Sequence, residues 1–361
     1  MEYTAPPPGD QPPVTANVIG AGPRHAPPPP PKPGRGGLLL ALFVLLLGGA
    51  FVVVLGLIAV AFSFGPHNLD GIEEAHYARQ RRARDKVAIL RVEGVIASGE
   101  GYLKKQIDAI RDDPHVKAIV LRINSPGGTV SGSDYTYHHL TELRDERQLP
   151  IVVSMGAICA SGGYYIAMAV GDTPEVIYAE PTTWTGSIGV IIPHYDAAGL
   201  LEEWKITDDS IKSNPLKQLG SFTRHMTDRE REILQSLVND SFARFKKIVR
   251  SGRPAFEENP KALDDVATGV VFSTPQALKN GLVDRSGFLE DAIDRAAELA
   301  GLDKDKVNVV EYKQRLGLLE HMIMQSETPP ARADLQSLLR LATPQAYYLY
   351  SWLPTLQRTA R

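Results

Sequence analysis

The chain has 361 residues, a formal net charge of −3, 43% hydrophobic and 22% charged residues. That length suits one large or two small domains, and the composition is ordinary for a globular fold. The near-neutral balance removes any global bias toward nucleic acid. A single cysteine, Cys159, excludes an intrachain disulfide.

In chain order, the first segment is residues 1–36. It carries twelve prolines, including the run Pro27 to Pro31. Such a stretch buries too little apolar surface to offset its ordering entropy, so it reads as a disordered or polyproline-like tail. Residues 37–65 follow without one charged side chain. At a helical rise of 1.5 Å per residue this run exceeds the ~20 residues that cross a bilayer. A cleaved signal peptide has a shorter apolar region nearer the terminus, so a transmembrane signal anchor is expected. Lys32 and Arg35 precede the span and His67, Asn68 and Asp70 follow it. The positive-inside rule then puts the tail in the cytoplasm and the rest outside. Residues 66–85 form a linker. Its cluster Arg79, Arg81, Arg82 and Arg84 pulls against that orientation and reads as a solvated face.

From residue 86 onward strand and helix patterns alternate. Strands are expected at 86–96, 116–124 and 150–155, with helices at 102–111, 132–146 and 162–170. Short strands near 176–179 and 209–211 flank a helix near 196–204. The apolar runs are rich in β-branched residues. This alternation predicts βαβ units and an α/β fold, with a parallel sheet covered on both faces. Residues 227–252 give the clearest helix. Thr227 and Glu230 form a capping-box pair, and Ile233, Leu234, Leu237, Val238, Phe242, Phe245, Ile248 and Val249 make one apolar stripe.

Two glycine-rich turns look chemical. Asn124-Ser125-Pro126-Gly127-Gly128-Thr129-Val130 lies between a strand and a helix. Paired glycines let backbone N–H groups face a cleft, where two donors can hold an oxyanion. It lacks the phosphate-loop spacing. The second turn is Cys159-Ala160-Ser161-Gly162-Gly163-Tyr164-Tyr165. Ser161 at a helix start is either a plain N-cap or an exposed nucleophile at a sharp turn. In the second case the Gly162 N–H completes an oxyanion hole with that of Gly128. Both turns follow strands of one expected sheet, at the carboxyl edge where α/β sites form. Cys159, toward the strand side, reads as a small buried residue.

A nucleophilic serine needs a base. None of the nine histidines lies in a comparable glycine-flanked turn, although His194 and His225 stay open as candidates. A lysine can serve instead once burial disfavours its charged form. Lys212 and Lys217 both follow the short strand near 209–211, and the residues alone do not choose between them.

The motifs together resemble a known family. Arg122-Ile123-Asn124-Ser125-Pro126-Gly127-Gly128, Ser154-Met155-Gly156 with Ala160 to Tyr165, Thr185-Gly186-Ser187-Ile188-Gly189-Val190, and Ile211-Lys212-Ser213 leading to Lys217 are similar to signal peptide peptidase A. That family of Ser-Lys proteases is related to Clp protease and crotonase. The resemblance implies a Clp/crotonase-like repeated ββα core over residues 86–310, with 311–361 as a C-terminal extension. It implies Ser161 as nucleophile, Lys217 as general base, Ser187 as the hydroxyl orienting that lysine, and Gly128 and Gly162 as oxyanion donors. No metal or cofactor is implied.

By the same resemblance the substrates are remnant signal peptides. The partners would be the membrane and further copies of the chain in a ring, an octamer among the options, to which neighbouring subunits contribute site residues. Alternatives are a stomatin-type membrane-protein protease, a crotonase-like acyl-CoA enzyme and an inactive membrane scaffold. The aromatic residues Tyr347, Tyr348, Tyr350 and Trp352 are expected at the membrane interface or on a neighbouring copy.

Overall fold

The computed structural model describes residues 71–314 and 346–349. The expected tail at 1–36, the span at 37–65 and most of 311–361 lie outside the described residues.

The strands are β1 (Ile72–Arg79), β2 (Lys86–Glu93), β3 (Val116–Ser125), β4 (Gly127–Thr129), β5 (Ile151–Ala160), β6 (Ile177–Ala179), β7 (Trp184–Gly186), β8 (Val271–Ser273), β9 (Arg285–Ser286), β10 (Asn308–Gln314) and β11 (Tyr347–Leu349). Helices are α1 (Tyr102–Asp112), α2 (Val130–Arg147), α3 (Gly162–Ala167), α4 (Ala198–Glu203), α5 (Asp228–Gly252), α6 (Ala255–Glu258), α7 (Pro260–Val266), α8 (Thr274–Lys279) and α9 (Leu289–Leu299).

The main sheet runs β1-β10-β2-β3-β5-β6-β9. From β10 to β9 every pairing is parallel, and β1 closes the edge antiparallel to β10. Val87 to Leu90, Ala118 to Leu121 and Ile151 to Val153 are all buried. Successive strand residues face opposite sides, so such runs require cover on both faces. Helices α1, α3 and α9 pack on the central strands. The apolar faces of α1 (Ile107, Ile110) and α9 (Leu289, Ala292, Ile293, Ala296) join this core. The expected α/β architecture is therefore present.

β5 positions the site because it divides its pairing. Val153 to Met155 pair with β6, and Ile158 to Ala160 pair with β7. The second half carries the chain to Ser161 at the carboxyl edge. A parallel neighbour, β3, delivers Ser125 opposite Cys159 at the same edge. Helix α5 begins with the expected capping box: Thr227 accepts from the Glu230 amide, and the Glu230 carboxylate accepts from the Thr227 amide. Of its stripe, Leu234, Phe245, Ile248 and Val249 are buried, whereas Leu237 is exposed.

Two expectations are corrected. Residues 209–211 form no strand. The Asp208 carboxylate takes the Ser210 amide at 3.1 Å in a local turn, which competes with ladder pairing. Ile211 is fully exposed, so no apolar face anchors a strand there. The motif 124–130 is also more than a turn. Its glycines form β4, flanked by Ile96 on one side and β11 on the other.

Candidate active site

Ser161 sits at the N-cap position of α3 with φ 54° and ψ −114°, and its side chain makes no capping hydrogen bond. Positive φ is unfavourable for a residue bearing a Cβ and costs about 1–3 kcal/mol. Two backbone bonds hold it there. The Ser161 N–H donates to Gly186 O at 2.8 Å, and the Tyr165 N–H donates to Ser161 O at 2.9 Å. The plain N-cap reading therefore does not describe this residue. The chain makes a strained strand-to-helix turn and leaves the hydroxyl unused by the helix.

Gly127, Gly128 and Gly162 converge beside it, because only glycine fits. A Cβ on Gly128 would collide with the Ile96 carbonyl, and one on Gly127 with the carbonyl of Tyr348. A Cβ on Gly127 would also lie 2.7 Å from the Gly162 nitrogen. A Cβ on Gly162 would lie 3.1 Å from both the Gly128 nitrogen and the Tyr348 carbonyl oxygen. The two amides singled out from sequence thus sit close together around one peptide carbonyl. Gly127 has φ 100°, and its N–H donates to Ser125 Oγ at 3.0 Å.

That carbonyl belongs to β11. The segment inserts between β4 and Ile191 as an antiparallel strand. Ile191 and Tyr347 exchange both backbone hydrogen bonds, at 3.1 and 2.9 Å, and Val130 N–H donates to Ala346 O at 3.2 Å. Hydrogen-bonded pairs alternate along an antiparallel ladder. With Tyr348 opposite Gly128 in the register, 128 and 348 form the next such pair, so the Gly128 N–H faces the Tyr348 carbonyl.

The Tyr348 side chain is fully buried. Its ring stacks on Tyr165 at 5.1 Å with 23° between planes, and lies 4.6 Å from the Phe245 ring. The Tyr348 hydroxyl donates to Ser241 O at 2.8 Å. Asp134 braces this pocket by accepting from the Tyr165 hydroxyl at 2.5 Å and from Arg244 at 2.6 and 2.9 Å. Residue-level reading missed Tyr165, Phe245 and Ser241 as pocket residues. The signal for β11 was the aromatic run Tyr347-Tyr348-Leu349-Tyr350, a strand-forming composition.

The other sequence candidates fall elsewhere. Ser187 is buried with φ 50°, and its hydroxyl donates to Gly269 O at 3.0 Å. Lys217 is exposed on a short 3-10 turn, and no bond links it to Ser161 among the described residues. Lys212 differs: it donates to Gln218, itself tied to Asp208. His225 pairs with Asp196 at 2.7 Å in the open. That hydrogen bond raises its pKa and favours the charged imidazole, the wrong form for a base. His194 contacts Ser221 O at 3.3 Å. Cys159 is buried, which pushes its thiol pKa up, so a thiolate nucleophile is disfavoured.

A parallel α/β sheet whose carboxyl edge ends in an uncapped, strained serine beside paired glycine amides is the framework of a serine peptidase. Comparison with known proteins supplies the family. Residues 144–303 match the model of peptidase family S49. A candidate protease of Synechocystis sp. is 42% identical over 228 residues, covering 63% of this chain and 78% of that protein. Protease 4 of Salmonella typhi is 34% identical over 267 residues, 72% of this chain and 41% of its own length. A candidate signal peptide peptidase SppA of Enterococcus faecium is 34% identical over 244 residues, with 63% and 67% covered. The chain belongs to peptidase family S49 and is a serine peptidase.

Proposed function

We propose that this chain is a membrane-anchored endopeptidase that hydrolyses remnant signal peptides through a Ser161–Lys217 dyad. The observation that carries the catalytic part is Ser161 itself: a buried serine in a costly backbone conformation that leaves its hydroxyl free of the helix. The Gly128 and Gly162 amides support the oxyanion role, because they flank a peptide carbonyl. Removing one such donor typically costs about 10²–10³ in kcat.

Lys217 takes the Ser161 proton, and Oγ attacks the peptide carbonyl. The oxyanion forms between the two amides, and collapse expels the amine carrying the proton from lysine. Water, deprotonated by the same lysine, then releases the acyl group and regenerates the serine. An exposed lysine is protonated near neutral pH and is a poor base; burial corrects this. Lys217 lies among exposed apolar residues, including Trp204, Ile206, Ile211, Leu216 and Phe222. A cluster of that kind marks a contact surface. We read it as the surface on which a neighbouring copy packs, so that Lys217 of one copy completes the site of the next in a ring.

Residues 37–65 serve as the anchor in this reading, with the catalytic body on the non-cytoplasmic side. Extended apolar substrates would then lie along β4, as β11 does. The deciding experiment mixes two inactive proteins. Ser161→Ala and Lys217→Ala should each lack peptide cleavage, and coexpression should restore part of it. Activity retained in either single variant removes that residue from the dyad. Inactive variants that fail to complement each other place both residues in one copy.

A further inference from the structure

The mechanism leaves β11 unexplained. It is a piece of this same chain seated across its own candidate site. Three features make the seating substrate-like. Its backbone is extended and pairs on both edges, with Gly127–Thr129 on one side and Ile191 on the other. Its Tyr348 carbonyl lies where the Gly128 and Gly162 amides converge. Its Tyr348 side chain fills a pocket closed by Tyr165 and Phe245, with the phenol donating to the Ser241 carbonyl. A strand anchored only for stability needs neither the carbonyl position nor a hydrogen-bonded pocket beside a strained serine.

We infer that residues 346–348 are a built-in substrate segment and that the chain cleaves its own Tyr348–Leu349 peptide bond. The inference rests on Ser161 being the nucleophile, as proposed above. The Tyr348 carbonyl carbon bonds to Ser161 Oγ, and the C–N bond to Leu349 breaks. The amine of Leu349 leaves with the transferred proton. Water then hydrolyses the ester, leaving a Tyr348 carboxylate and a free serine. The segment 349–361 is released, and residues 346–348 stay paired in the groove as a product strand.

The pocket also predicts which residue it reads. An aromatic ring gains from stacking between Tyr165 and Phe245. The Ser241 carbonyl faces into the pocket and is satisfied only by a donor at the far end of that ring. Tyrosine supplies one and phenylalanine does not, leaving a buried acceptor unpaired. Beyond Ala346 the groove continues as a cavity of 800 Å³ along Tyr135, Ile192, Leu219, Leu234 and Leu237, which suits an apolar segment upstream of the cleaved bond.

The test is the intact mass of the full chain purified in detergent, alongside labelling with a serine-directed fluorophosphonate probe. Wild type should end at Tyr348, and Ser161→Ala should keep residues 349–361. Tyr348→Phe should slow trimming roughly 5-fold, and Tyr348→Asp should stop it. Trimming in Ser161→Ala means another protease is responsible and overturns the inference. Wild type that labels at Ser161 yet keeps residues 349–361 overturns it too, with the peptidase reading intact. A chain that neither labels nor trims overturns both. Equal trimming of Tyr348→Phe and wild type removes the phenol readout.

Discussion

The ring of Tyr348 lies stacked against that of Tyr165, joining the last described strand to the helix that starts at Ser161. The pair ties occupancy of the groove to the helix carrying the candidate nucleophile. Tyr165→Ala should remove one pocket wall and destabilise the protein by about 3–5 kcal/mol, as deletion of a large buried aromatic does. Tyr165→Phe keeps the stack and drops only the bond to Asp134, which Arg244 still satisfies. It should cost about 1 kcal/mol. Urea unfolding of both variants checks the ordering.

Gly128→Ala should abolish peptide cleavage by about 10²–10³ or more. Its new Cβ meets the Ile96 carbonyl and pushes β4 away from Gly162. The variant should still fold, because the main sheet does not include β4. Peptidase assays paired with circular dichroism separate the two effects.

The lysines should behave differently. Lys212 is tied to Gln218, and Lys212→Ala should keep peptidase activity. Lys217→Ala and Lys217→Arg should both lose it, since a guanidinium keeps its proton and cannot act as base. Rates on a fluorogenic peptide decide this.

Acid sensitivity should trace in part to Glu230. Its hydrogen bond with Arg224 holds the carboxyl pKa at about 2, against an ordinary 4.5. A depressed folded value contributes stability above the unfolded pKa, and that contribution is lost as pH falls from about 4.5 through about 2. Glu230→Gln should flatten the stability profile in that window and cost roughly 1–2 kcal/mol at neutral pH, by loosening the cap. Thermal melts between pH 2 and 7 test it.

Cys159 should be inert. Burial raises its thiol pKa, so alkylating reagents should label it only after unfolding, and Cys159→Ala should retain cleavage. Rapid labelling of native protein would contradict this.

Much of the architecture was legible because buried parallel strands carry unbroken β-branched runs, as at 116–124 and 150–155. The Thr227–Glu230 capping box was equally local. The strand expected at 209–211 failed because Asp208 satisfies the Ser210 amide within its own turn, a competition that periodicity does not reveal. β11 was assigned to a membrane surface or a neighbouring copy, yet Tyr348 docks in the groove of its own chain.

Sequence by itself determined the α/β class, the two glycine turns and the serine between them, since each depends on residues adjacent along the chain. Tertiary structure decided that Gly127, Gly128 and Gly162 meet, that Ser161 does not cap its helix, and that Tyr348 fills a pocket built by Tyr165 and Phe245. Those contacts join residues far apart in the chain. They are fixed by which strands pair at the sheet edge, and that pairing is set by burial of the whole core rather than by any local pattern.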